Sequence, residues 1–141
     1  MRPQNVRGVI SLEGWTSHHV SQDAFGGQTT NTLSAGHQAQ YERLRQRVMT
    51  LWSQAEIEEF VTYWRQWDGF DFLSKTGLPI LELYGDRGQE RPSLDKLRIP
   101  ERENIQVHWL QNASHNLHLE CPREVARICD RFVEKLEGAG T

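Results

Sequence analysis

Three short runs rich in β-branched and aliphatic residues decide what this chain can fold into: VRGVISL at 6–12, PILELY at 79–84 and NIQVHWL at 104–110. Glu13-Gly14 stops the first and Gly85-Asp86-Arg87-Gly88 the second, both turn sequences. Helix-patterned stretches lie between and after them. Strands joined by helical crossovers form a parallel sheet, because the chain must return to the starting end before the next strand begins. The predicted class is therefore α/β, with a short three-stranded parallel sheet. Parallel sheets are covered on both faces, and three strands make a thin one. The first strand begins close to Met1 with nothing to pair its outer edge, so strands N-terminal to it are expected to be missing.

The helical stretches show their own periods. Tyr41, Leu44, Val48 and Leu51 recur at three and four residues, predicting a helix over 37–52. Ser53 followed by Glu56 is a capping-box pattern. It opens a second helix with Ile57, Phe60, Val61, Trp64 and Trp67 on one side, ended by Asp68-Gly69. Residues 14–36 have no steady period and read as loop. A short helix is expected near 93–97 and a loop over 111–119. Pro122 suits a first helical turn. Val125, Ile128, Cys129, Phe132, Val133 and Leu136 form the stripe of a last helix, which Gly138 stops. The expected organisation is a core strand in 1–13, a helical insertion over 14–75 and a C-terminal core portion over 76–141.

Composition narrows the function. The chain has 141 residues, the size of one domain, with 25% charged residues and a net charge of −3. No basic excess favours nucleic acid or a membrane surface. The longest aliphatic run is about four residues, against the ~20 that span a bilayer. Cys121 and Cys129 are the two cysteines, too few for a disulfide framework, which suits a reducing, cytoplasmic setting. His18-His19 and His115-x-x-His118 lack neighbouring cysteines or carboxylates at ligand spacing, so no metal is expected. Gly26-Gly27 lacks the lysine of a phosphate-binding loop, and no cofactor is expected.

Ligands of open parallel sheets bind beyond the carboxyl ends of the strands. Glu13 with Gly14-Trp15, Asp86-Arg87 and His115 all fall at that rim. Adjacent strands are ~4.8 Å apart, so the outer two roots lie about 10 Å apart, a distance that a loop-borne histidine can close. An acid and a histidine there are two of the three parts of a nucleophile–base–acid relay. Taken alone, each has a plainer reading: a surface histidine, a carboxylate that closes a turn.

The stretch PILELYG, DRG, NIQVHWL and ASHNLHLECPREVARICDRFVEKL resembles the C-terminal part of the α/β-hydrolase family, and VRGVISLEGWT resembles a strand further upstream. The resemblance covers about sixty C-terminal residues. It implies that His115 is the general base and that the helices of 14–75 form a cap whose aromatics, with Trp15, line a small-molecule substrate site. Most family members carry the acid three residues after the glycine that ends the penultimate strand. Here that position is Gly88, while Asp86 directly follows Gly85. Haloalkane dehalogenases and some others carry it after the preceding strand, which corresponds to Glu13. Glu13 is therefore the expected acid and Asp86 the alternative.

The family's nucleophile sits on a strand–turn–helix elbow, usually G-x-S-x-G, and this chain has no such motif. The expectation is a hydrolase portion whose nucleophile, serine or aspartate, lies on a missing N-terminal half or a complementary chain. The alternative is a non-catalytic binding or interaction module derived from such a fold.

Overall fold

The computed structural model describes residues 5–14, 16–27 and 33–138. In chain order the elements are β1 (Val9–Leu12), α1 (Val20–Phe25), α2 (Ala35–Leu51), α3 (Gln54–Gln66), α4 (Phe70–Lys75), β2 (Ile80–Gly85), β3 (Ile105–Leu110), α5 (Leu117–Glu120) and α6 (Pro122–Gly138). The fold is mixed α/β. Its three strands lie in the order β1-β2-β3 and pair in parallel. The register sets Val9 beside Ile80 and Ile80 beside Ile105.

β2 is the central strand, and all its residues are buried. This explains its unbroken apolar run, since a strand covered on both faces has no polar side to show. Leu81 and Leu83 pack against Val125, Ile128 and Phe132 of α6. Each of those three helix residues contributes roughly 1.5–3 kcal/mol through burial. Val133, counted in the apolar stripe by sequence, is instead exposed. Tyr84, on the opposite face, packs with Val20 and Phe25 of α1 and with Leu97 and Ile99. Cover is incomplete over β1, where Ile10 and Leu12 remain 38% and 39% exposed.

α1 occupies part of the stretch expected to be loop. It is too short to show a period, but Gly26 in the left-handed conformation (φ 58°) closes it, with Gly26 and Gly27 amides returning to Gln22 and Ser21 carbonyls. The helix expected near 93–97 is a turn. Leu97 N bonds Ser93 O at 3.1 Å, but Arg98 then adopts φ 53° and the helix cannot continue. The loop expected over 111–119 contains the start of α5.

α2 and α3 form where their periods predict. Ser53 and Glu56 make both bonds of the capping box. Neither helix has a fully buried residue, so Leu44, Val48 and Phe60 stand exposed, as does Trp67 just past the end of α3. The excursion leaves and re-enters at one point: Ser17 and Asp68 form an antiparallel bridge, and Gly69 N bonds Thr16 O at 2.6 Å. No helix among the described residues is long and apolar enough to cross a membrane.

Candidate active site

The parallel sheet brings the ends of β1, β2 and β3 to one rim, and each strand delivers one part of the site. Glu13 follows β1 directly. Its amide bonds Leu83 O at 2.8 Å, so it continues the ladder, and its backbone then turns through φ 53°. That turn sends the carboxylate inward, where it is almost fully buried.

Four donors meet this carboxylate. Gly85 N lies 2.6 Å from Oε1. Arg87 holds both oxygens, Nη1 at 3.0 Å from Oε1 and Nη2 at 2.7 Å from Oε2. His115 Nδ1 lies 3.2 Å from Oε2. Burial by itself would push Glu13 up. The hydrogen bonds from His115 and Arg87, the arginine's charge and the Gly85 amide outweigh it, and the carboxyl lies below the ordinary value.

Arg87 is itself pinned. Its amide bonds Ala113 O at 3.0 Å, Nη1 donates also to Gly85 O, and its guanidinium lies 3.7 Å from the centre of the Phe25 ring. α1 thus reaches the site through one aromatic ring. Sequence reasoning placed Arg87 at the rim but gave it no role. The signal was a cation beside two acids at the end of a buried strand.

His115 is carried by the segment between β3 and α5. Gly85 makes the close approach possible, since a β-carbon there would run into the Ala113 carbonyl and come within 2.6 Å of Ser114 O. Ser114 is anchored from the other side: its amide lies 3.0 Å from Glu120 Oε1, and its hydroxyl donates to the same oxygen. The His115 side chain keeps 33% of its exposure, so the ring spans the buried acid and the surface. With Nδ1 on Glu13, any base chemistry belongs to Nε2.

Asp86 is engaged elsewhere. Oδ1 accepts the amides of Gly88 at 2.9 Å and Asn112 at 2.7 Å, and Oδ2 lies 3.9 Å from Arg91 Nε. It closes the two turns, and no hydrogen bond joins it to His115. Trp15, expected at the substrate site, lies outside the described residues. No group of three or more His, Cys, Asp or Glu among the described residues is placed to hold a metal ion.

No family model, curated protein or solved structure matches this chain.

Proposed function

We propose that this chain is the cap and C-terminal portion of an α/β-hydrolase, with His115 as general base and Glu13 as the acid that orients it. The observation that carries this reading is the Glu13–His115 hydrogen bond, which joins residues 102 apart in sequence at the carboxyl rim of a parallel sheet. A buried carboxylate on Nδ1 fixes the tautomer and turns Nε2 toward a nucleophile.

In this reading the nucleophile comes from a strand–elbow–helix element that pairs with the outer edge of β1, which has no strand partner among the described residues, and that element is supplied by another segment or a complementary chain. A serine there would lose its proton to Nε2 as it attacks an acyl carbon, and the imidazolium would return that proton to the leaving group. An aspartate would displace a halide or open an epoxide, and His115 would then deprotonate the water that cleaves the ester intermediate. The helices of 14–75 serve as the cap over a small organic substrate, and Trp15 is proposed as a residue that binds it. The relay needs no cofactor. Two free cysteines suit a cytoplasmic setting.

A second reading, a non-catalytic binding module, is favoured by Arg87. This buried cation already neutralises Glu13, so the acid has a structural use without any catalysis. Ester turnover separates the two. The 141-residue chain alone should not hydrolyse nitrophenyl acetate above the slow rate of surface histidines. Fusion to a strand–elbow–helix half should give saturable turnover that His115→Ala abolishes. Saturable hydrolysis by the chain alone, unchanged in His115→Ala, would sink the hydrolase assignment.

A further inference from the structure

A second carboxylate is buried on the face of the sheet away from α6, and unlike Glu13 it is not fully satisfied. Glu82, in the middle of β2, is 5% exposed, and its Oε2 has no hydrogen-bond partner. It lines a cleft of about 320 Å³ between β1, β2 and α4. Ile80, Val9, Phe72 and Leu73 give that cleft apolar walls, with Trp67 beside them. Among the described lining residues Glu82 is the sole ionisable one. Its neighbour across the pair is Ser11 on β1, and its neighbour on β3 is the uncharged Val107. Further along the face come Tyr84, whose hydroxyl donates to Gly14 O at 3.1 Å, and then the Glu13–Arg87 pair.

We propose that this cleft binds small amines in their protonated form, the ammonium donating to Glu82 Oε2 and the apolar body lying against Ile80, Phe72 and Leu73. The site uses none of the residues of the Glu13–His115 pair. Its volume is at the small end of ligand sites, which are mostly apolar with a few convergent polar groups. An orphaned carboxyl oxygen lacks a donor, and a hydrocarbon-walled site favours a ligand that brings its own counter-charge. A neutral alcohol supplies the donor but no charge, and a carboxylate supplies neither. Burial pushes Glu82 up to about 7, with the Ser11 hydrogen bond opposing it, so the site gains its charge near neutrality.

The test is calorimetric titration of the 141-residue chain with benzylamine at pH 6, 7 and 8, beside benzyl alcohol and benzoate. Benzylamine stays protonated throughout, so its affinity should rise roughly tenfold from pH 6 to pH 8 as Glu82 ionises. Benzyl alcohol should bind more weakly and without that rise, and benzoate not at all. Glu82→Gln should weaken benzylamine at pH 8 roughly tenfold and flatten its pH dependence. The wild-type pH series decides the matter even if that variant does not fold. Benzylamine binding no tighter than benzyl alcohol at pH 8, a flat wild-type profile, or a self-associated chain that excludes benzylamine would each overturn the proposal.

Discussion

Arg87 grips both carboxylate oxygens of Glu13, at 3.0 and 2.7 Å, with the two side chains almost wholly removed from solvent. Removing one partner of such a pair strands the other charge in the interior. Glu13→Gln should therefore destabilise the fold by about 3–5 kcal/mol. The double variant Glu13→Gln/Arg87→Met should recover part of that loss, because no charge is then left buried. Urea denaturation of the single and double variants measures the coupling, and strictly additive losses would contradict a mutual pair.

His115 stands in a different position on the same carboxylate. It is part-exposed, and Glu13 keeps Arg87 and the Gly85 amide without it. His115→Ala should cost only about 1 kcal/mol of stability. A loss as large as that of Glu13→Gln would make the histidine a structural element.

The two buried glutamates pull the pH dependence of stability in opposite directions. Glu13 has a lowered folded value, so its contribution is complete above its ordinary 4.5 and is lost as the pH falls through the folded value. Glu82 is raised from 4.5 to about 7, so the folded state holds a proton that the unfolded state releases, and stability falls as the pH rises between those values. That fall is roughly 3 kcal/mol. Stability from these two groups should peak at or just below pH 4.5. Glu82→Gln should remove the decline and be the more stable protein at pH 8. Melting temperatures of the two chains from pH 4 to 8 give the comparison, and parallel curves would refute it.

Gly85→Ala tests how the histidine is placed. The added methyl meets backbone atoms of Ala113 and Ser114, which cannot rotate aside as a side chain can. A loss of about 3 kcal/mol is expected, with His115 displaced from Glu13. The imidazole NMR signals of His115 should shift in the folded variant, whereas an unperturbed histidine would show that the approach is not tight.

The three strands and α6 were legible because buried apolar runs and a one-sided stripe leave marks on neighbouring residues. Leu81 and Leu83 declare a central strand, and Val125, Ile128 and Phe132 a helix face. α1 left no such mark, since six residues make less than two turns, and only the glycines behind Phe25 hint at its end. Glu13 and His115 could be placed at one rim from strand direction alone. Their distance, and the choice between Glu13 and Asp86, depend on the left-handed turn at Glu13 and on the two amides that occupy Asp86. Arg87 escaped for a related reason. Charge next to a turn is common on surfaces, and nothing local says that this guanidinium is folded inward over Phe25.

The left-handed backbone at Glu13 also limits which acid this position can hold. At φ 53° a glutamate is less at ease than an aspartate, asparagine or glycine. Aspartate would relax the main chain, but it is one methylene shorter, and the present carboxylate touches donors from β2, the following turn and the His115 segment together. The exchange of Asp for Glu, which passes unnoticed on most protein surfaces, is closed here. Sequence drift at this position would have to move three backbone segments along with the side chain.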